Sequence, residues 1–256
     1  MGNAENDGFN RLTLSAQLSW REITIIRAYS KYLRQTGFTY SQSYIEESFN
    51  KNFKLSKLLV ELFITRFNPN INEDREAHLE KLENSIKEQL DTIILLDEDK
   101  IFRKFYEVIQ ATLRTNYFQY DIKKKPINYV SIKLNPHQIS EMPLPLPKYE
   151  IFVYSPRFEG VHLRSSKVAR GGIRWSDRRE DFRTEILGLM KAQNVKNAVI
   201  VPSGAKGGFV LKTLTTNATR DEVLAEGIAC YKAFISGLLD ITDNLQGEEV
   251  IIPENV

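Results

Sequence analysis

The chain has 256 residues, 42% of them apolar and 27% charged, with a formal net charge of +2. These are the proportions of a soluble globular protein with room for one large domain or two modest ones, and the near balance of charge gives no polyelectrolyte signal for nucleic acid. A single cysteine, Cys230, excludes an internal disulfide, no apolar run nears the ~18 residues of a membrane span, and Met1 to Gly8 lacks the basic start and apolar core of a signal peptide, so a cytoplasmic protein is expected.

The first part reads as helical. Ser19 and Glu22 have the spacing of a capping box ahead of Ile23, Ile26, Tyr29 and Leu33, and Gly37 closes that helix. Ser41 caps a second segment through Ile45 and Phe49. A third carries Leu58, Leu59, Leu62 and Phe63 and stops at Asn68-Pro69. From Asp74, apolar residues at Leu79, Leu82, Ile86, Leu90 and Ile93 follow steps of three and four, an amphipathic helix with a charged outer face. Asp97 caps another, carrying Ile101, Phe105, Val108, Ile109 and Leu113. Apolar stripes of this kind need partners, so residues 1–122 are expected to form a helical layer or bundle.

The pattern changes near Lys123. Ile127 to Leu134 alternates and is β-branched, as a strand is. Pro143, Pro145 and Pro147 make a stiff extended connection, and Tyr149–Tyr154 and Gly160–Arg164 read as two more strands. A helix starts at Ser176 or Asp177 and runs through Phe182, Ile186, Leu189 and Met190. Ala198–Val201 is a continuous apolar run that suits a strand covered on both faces. Thr219 and Glu222 form another capping box, before a helix carrying Val223, Leu224, Ile228, Tyr231, Phe234 and Leu238. Cys230 falls in that helix and reads as an inert buried thiol. Alternating strands and helices make 123–256 a mixed α/β domain, so the fold class is α/β with α+β mixing.

Chemistry concentrates between Arg157 and Gly208. Arg157 to Arg183 holds eight Lys/Arg against four Asp/Glu. A solvated, salt-bridged surface explains such a cluster about as well as a site does, but adjacent glycines weaken a strand and are not needed on a plain surface. Two glycine pairs stand beside cations, in Arg170-Gly171-Gly172-Ile173-Arg174 and in Pro202-Ser203-Gly204-Ala205-Lys206-Gly207-Gly208. Read as turns, they let the backbone approach an anionic small molecule closely. The second resembles a phosphate loop, yet Lys206 is followed by glycine where a Walker loop needs Ser or Thr, and no Gly-x-Gly-x-x-Gly is present. Lys206 suits a proton carrier, or an ammonium that polarises a carbonyl or imine. Gln193 and Lys196, three apart, share a side of a helix if the helix persists, and offer an amide and an ammonium. Lys196 as a plain C-terminal complement to the helix dipole is the competing reading. His78, His137 and His162 lack ligand spacing with Cys230, so no metal site is expected. Ser203 has no histidine nearby in sequence and is a weak nucleophile candidate.

At these residues the chain resembles the glutamate dehydrogenases, specifically the large NAD-dependent bacterial class. The segments that carry the likeness are Val161-His162-Leu163-Arg164, Lys167-Val168-Ala169-Arg170-Gly171-Gly172-Ile173-Arg174-Trp175-Ser176-Asp177-Arg178, Glu185-Ile186-Leu187-Gly188-Leu189-Met190-Lys191-Ala192-Gln193 and Val195-Lys196-Asn197-Ala198-Val199-Ile200-Val201-Pro202. Gly204-Ala205-Lys206-Gly207-Gly208-Phe209 completes them, and the likeness reaches back through Ala4 to Leu12 and Gln110 to Asn116. It implies NAD-dependent oxidative deamination of L-glutamate to 2-oxoglutarate and ammonia. It makes Lys206 the catalytic lysine and assigns substrate binding to Arg170, Gly171, Gln193 and Lys196. The family's first substrate lysine is replaced here by Arg170, and either Arg170 or neighbouring Lys167 holds the substrate carboxylate. The resemblance further implies an N-terminal helical layer, a substrate-binding domain of glutamate dehydrogenase type with no dinucleotide domain in this chain, NAD bound mainly elsewhere, and a homo-oligomeric full-length enzyme. Ile252-Pro253-Glu254-Asn255-Val256 looks like the start of the segment that bears the family's catalytic aspartate.

Three other readings compete. A non-catalytic anion- or amino-acid-binding regulatory module would use the glycine segments for recognition only. A basic RNA-contacting surface over 157–183 lacks interleaved aromatics to stack bases. A related amino-acid dehydrogenase with an apolar side-chain pocket would have no use for Arg170. Glutamate is therefore the expected substrate, with no nucleic-acid or membrane partner.

Overall fold

In the computed structural model of the chain, residues 4–71, 74–196, 203–213 and 218–256 are described, Lys196 by its backbone alone. The strand expected at Ala198–Val201 lies outside the described residues. The chain divides into two compact units, Met1–Arg34 with Phe38–Ala111, and Gln35–Gly37 with Thr112–Val256.

The first unit is helical. After a 3-10 turn at Gly8–Arg11 it holds α1 (Leu12–Ser15), α2 (Trp20–Arg34), α3 (Gln42–Lys51), α4 (Phe53–Phe67), α5 (Arg75–Leu90) and α6 (Leu96–Gln110). The first capping box forms in both directions: the Ser19 amide donates to Glu22 at 2.7 Å and the Glu22 amide to Ser19 Oγ at 3.3 Å. Gly37, at φ +86°, ends α2 in the left-handed region that a side chain disfavours. Ser41 Oγ caps α3 by accepting from the Tyr44 amide. Phe49 stands at the centre of the apolar core, its ring 4.7 Å from that of Phe102 and 4.6 Å from that of Phe105. Fully buried Arg27 meets Asp7 in a two-pronged pair at 2.6 and 2.8 Å, the geometry that suits a planar guanidinium.

The second unit is a six-stranded mixed sheet in the order β1-β2-β3-β4-β6-β5. Its strands are β1 (Thr112–Thr115), β2 (Val130–Leu134), β3 (Tyr149–Tyr154), β4 (Phe158–Arg164), β5 (Arg170–Trp175) and β6 (Gly204–Leu211). All neighbours are antiparallel except β5 and β6, which run parallel and are joined through α7 (Phe182–Lys196). α8 (Arg220–Leu239) follows β6, opened by the reciprocal Thr219–Glu222 capping box. A small hairpin of β7 (Asn244–Gln246) and β8 (Glu249–Ile251) comes last. Several boundaries differ from the sequence reading. Asp97, expected as a cap, lies inside α6, whose N-cap is Leu95; Ile93 lies beyond the end of α5 at Leu90; and β4 begins at Phe158 rather than Gly160. Leu113, expected on a helix, lies in β1, because pairing with β2 overrides the helical period. The strand expected from Ile127 begins at Val130. The helix expected from Ser176 begins at Phe182, and Ser176 instead donates to Glu185 at 2.5 Å from ahead of it.

The largest difference concerns the glycine pairs, which lie inside β5 and β6 rather than in turns. A strand's side chains alternate between faces, and the two helices take one face each. On the α7 face, a Cβ at Gly208 would run into Ile186, and one at Gly204 would stand 2.8 Å from Gln193 Cβ. On the α8 face, a Cβ at Gly207 would stand 2.5 Å from Ile173 Cδ1, one at Gly160 would stand 2.6 Å from the Phe234 ring, and one at Gly227 would strike Trp175. A Cβ at Gly171 would overlap the Ala205 carbonyl outright. The glycines let strands and helices close on one another. Under α8 the core contains Val153, Phe158, Phe209, Leu211, Cys230 and Phe234. Burial pushes the Cys230 thiol up to about 12, as an inert thiol requires.

Two buried polar features fix the sheet's surroundings. Glu150 of β3 and Arg183 at the start of α7, both fully buried, pair at 2.6 and 2.7 Å and fasten that helix to the sheet. His162 of β4 is opposite Gly207. Burial, with Arg164 adding to it, lowers His162 to about 4, so it stays neutral.

These contacts predict a contrast between adjacent glycines. Gly171→Ala is expected to cost at least ~3 kcal/mol in urea unfolding, because only backbone shifts could relieve the overlap. Gly172→Ala, whose Cβ would meet only Lys206 Nζ at 3.9 Å, is expected to unfold near the wild-type midpoint. Equal losses would contradict the packing account. His162 sets a pH dependence. Between about 6.5 and 4 the unfolded chain binds a proton that the folded chain refuses, so stability falls as the pH drops through that window. Unfolding at pH 7 and 4.5 should show the wild type losing on the order of 2 kcal/mol more than His162→Gln.

Candidate functional site

The parallel β5–β6 pair sets the geometry. Its register aligns Arg170 with Gly204, Gly172 with Lys206 and Arg174 with Gly208. Aligned residues of neighbouring strands share a face, and Gly204 and Gly208 both meet α7. Arg170, Gly172, Arg174 and Lys206 therefore belong to the α7 face. Gly172 presents no side chain there, and the Lys206 ammonium occupies the space above it, 3.9 Å from where a Cβ would be. Lys206 is partly buried and makes no ion pair or hydrogen bond among the described residues.

The last turn of α7 arrives at the same place. Gln193 Cβ lies against Gly204, which precedes Lys206 by two positions on the same face. Asn194 Oδ1 accepts a hydrogen bond from the Gly204 amide. Lys196 is the last residue of α7, one helical turn beyond Gln193. Its side chain lies outside the described residues. Gly171 points to the opposite face, where its lack of a side chain is accounted for by Ala205.

The third cation of the face, Arg174, is spoken for. Arg174 Nε bonds Glu185 Oε1 at 2.7 Å, and Glu185 Oε2 accepts from Ser176. Arg178 pairs with Asp181 and Arg157 with Glu226. Much of the basic stretch is thus salt-bridged surface; Arg170 opens β5 at the end opposite Arg174, and Lys206, in register with Gly172, stands between them. A cavity of about 500 Å³ opens at the carboxyl end of β5, among Arg174, Trp175, Ser176, Asp177 and Arg179. Lys167 is exposed in the loop before β5.

Some residues that shape this region carried no signal in the sequence. Asn194 and Ser166 are ordinary polar residues in a linear reading; Asn194 bonds the start of β6, and Ser166 bonds the Val168 carbonyl of its own loop beside the Ser203 hydroxyl. Ser203, considered above as a nucleophile, has its hydroxyl engaged instead, donating to the Val168 carbonyl at 2.6 Å and touching the Ser166 hydroxyl. No helix among the described residues is long and apolar enough to cross a membrane.

Residues 85–256 match the family described as bacterial NAD-glutamate dehydrogenase, catalytic domain, and residues 4–69 match glutamate dehydrogenase, helical motif 3. The chain is 56% identical over 258 residues to the NAD-specific glutamate dehydrogenase of Pseudomonas aeruginosa, covering 100% of this chain and 16% of that protein. It is 52% identical over 255 residues to that of Halomonas elongata, with the same coverages. With the Mycobacterium tuberculosis enzyme it is 53% identical over 257 residues, 95% of this chain and 16% of the relative. The chain thus spans 16% of the length of these relatives, and by its match to their catalytic domain it belongs to the bacterial NAD-specific glutamate dehydrogenase family.

Proposed function

We propose that this chain supplies the substrate-binding and catalytic-lysine part of an NAD-dependent oxidative deamination of L-glutamate to 2-oxoglutarate and ammonia, with 123–256 as the substrate-binding domain. The observation that carries the reading is the position of Lys206. Its ammonium lies over the bare backbone of Gly172, with Arg170 two residues away on the same face and Gln193 against the strand that bears it. Arg170 offers a forked donor for one carboxylate of a diacid. Gln193 adds an amide, and Lys196, one turn beyond it on α7, is assigned the second carboxylate. Lys206 passes a proton to and from the water that adds at the substrate's α-carbon. Held rigidly, the diacid presents that carbon in one orientation.

NAD is the oxidant named for the relatives. A dinucleotide site calls for a Gly-x-Gly-x-x-Gly turn from a parallel strand into a helix, and the described β5–α7–β6 unit has no such turn. The residues here do not fit a dinucleotide, and none is assigned to it.

A full-length dehydrogenase carrying these residues tests the reading. Lys206→Ala is expected to lower kcat by about 10²- to 10⁴-fold while changing glutamate affinity far less. Near-normal turnover would remove Lys206 from the chemistry. Arg170→Ala is expected to raise the KM for glutamate about 10- to 100-fold, the loss of a charge-assisted pair, with Lys167→Ala close to wild type. The reverse order would transfer the carboxylate to Lys167.

A regulatory, non-catalytic module would need the same cations for recognition alone. Calorimetry with glutamate, 2-oxoglutarate and phosphate separates a diacid site, which binds the first two and leaves phosphate unbound, from a general anion site, and the Lys206→Ala turnover above separates catalysis from recognition alone.

A further inference from the structure

Where β5 and β6 begin, two consecutive residues, Ser203 and Gly204, bond the loop before β5, the start of β5 and the last turn of α7. The Ser203 side chain and backbone are 7% exposed. Its hydroxyl donates to the Val168 carbonyl at 2.6 Å, in the loop between β4 and β5. Its carbonyl accepts from the Arg170 amide at 3.3 Å, at the first residue of β5. The next peptide continues the pattern. The Gly204 carbonyl accepts from the Ser165 amide at 3.1 Å, and the Gly204 amide donates to Asn194 in the last turn of α7. Three residues after Ser203 stands Lys206.

We propose that Ser203 is a positioning residue for the substrate cations: its hydroxyl cross-links the loop that carries Lys167 and leads into Arg170 to the strand that carries Lys206. The inference rests on the substrate reading given above, and it assigns no nucleophilic role to the serine. The hydroxyl has one proton, and the Val168 carbonyl takes it. Ser166 Oγ also lies 2.6 Å from that carbonyl and beside Ser203 Oγ, so with Ser203 donating to the carbonyl, the single Ser166 proton goes either to the carbonyl or to the Ser203 oxygen. The two serines differ in what they join. Ser166 and Val168 are two residues apart in one loop, so that bond is local. The bond from Ser203 connects residues far apart in sequence and fixes the loop against β6. With alanine at 203 the carbonyl keeps its partner in Ser166, so little buried polarity is orphaned, but the side-chain cross-link is gone and only the backbone bonds from Ser165 and Arg170 hold the loop. Arg170 and Lys206 would then lose part of their fixed separation, and a small displacement of binding groups is costly for a rigid diacid.

The test compares Ser203→Ala, Ser166→Ala and Lys206→Ala in a full-length dehydrogenase carrying these residues, by steady-state kinetics in both substrates and by thermal melting. For Ser203→Ala the expected result is a KM for glutamate raised about tenfold, the equivalent of one hydrogen bond. The KM for NAD should stay within about twofold and the melting midpoint near wild type, and Ser166→Ala should change the KM for glutamate by less than half as much on a logarithmic scale. An unchanged KM for glutamate in Ser203→Ala overturns the proposal. So does a rise in both KM values together with a lowered melting midpoint, which marks a merely structural residue, and so does an equal effect of the two serine substitutions. If Ser203→Ala does not fold, Ser203→Cys takes its place, since a thiol fills the same site and donates only weakly. Lys206→Ala keeps the two readings apart. Full activity there removes the substrate reading, while an inactive Lys206→Ala beside a silent Ser203→Ala removes the positioning role alone.

Discussion

The close approach of β5 to β6 at Gly171 is the constraint from which the candidate site follows. The Ala205 carbonyl occupies the space a side chain at 171 would need. That approach lets β5 join the sheet parallel to β6, with Gly172 in register with Lys206. A residue with a side chain at 171 would push the edge strand away, and Arg170 would go with it. The neighbouring glycine does something different. At Gly172 the missing side chain leaves open space on the opposite face, and the Lys206 ammonium uses it. Two adjacent glycines thus serve opposite faces of one strand, one for packing and one for access.

The sheet separates its two tasks by face. Beneath α8, Phe209 lies between Trp175 and Phe234, with ring centroids 6.0 and 5.9 Å away, and Val153, Phe158 and Leu211 complete an apolar layer. This side supplies burial, worth roughly 25 cal/mol per Å² of apolar surface. The α7 side carries charge. Glu150 and Arg183 are buried there as a pair, which is tolerable because each satisfies the other in two-pronged geometry. The same pair anchors the first turn of the helix whose last turn bears Gln193 and Asn194. Fixing a helix at both ends limits its sliding along the sheet, so the donors at its far end keep their distance from β6.

What could be read in the sequence follows the range of the interactions. Capping boxes need two side chains three residues apart, and Ser19 with Glu22 and Thr219 with Glu222 both form as their spacing requires. Gly37 likewise ends α2 by a local conformational need. The helix periods of α2, α4 and α6 were legible because burial is regular along them. The glycine pairs were legible as special but not as strands, because glycine marks a turn when only its neighbours are known. Their reason lies in partners distant in the chain: Ala205 for Gly171, Ile186 for Gly208 and Phe234 for Gly160. Leu113 shows the same limit, since only β2 makes its segment a strand. Lys206, Arg170 and Gln193 stood out by type and by resemblance. Ser203 and Asn194 were silent as anchors, for a hydroxyl or amide announces nothing until its partner is placed.

The distribution of countercharge explains how cations can gather on this pair of strands. At the carboxyl end of β5, Arg174 is neutralised by Glu185 from the first turn of α7, and Arg178 by Asp181. Midway along β5, beside Gly172, no carboxylate pairs with Lys206 among the described residues. A lone ammonium partly withdrawn from water is unfavourable unless something offsets it. The arrangement of α7 provides an offset. The helix runs back across the face so that its carboxyl end, with roughly half a negative charge from the aligned peptide groups, meets the start of β6. Gln193 and Asn194 of that last turn touch Gly204. A helix end stabilises a nearby cation without occupying its hydrogen-bond donors as a carboxylate would. The donors stay available for an incoming anion.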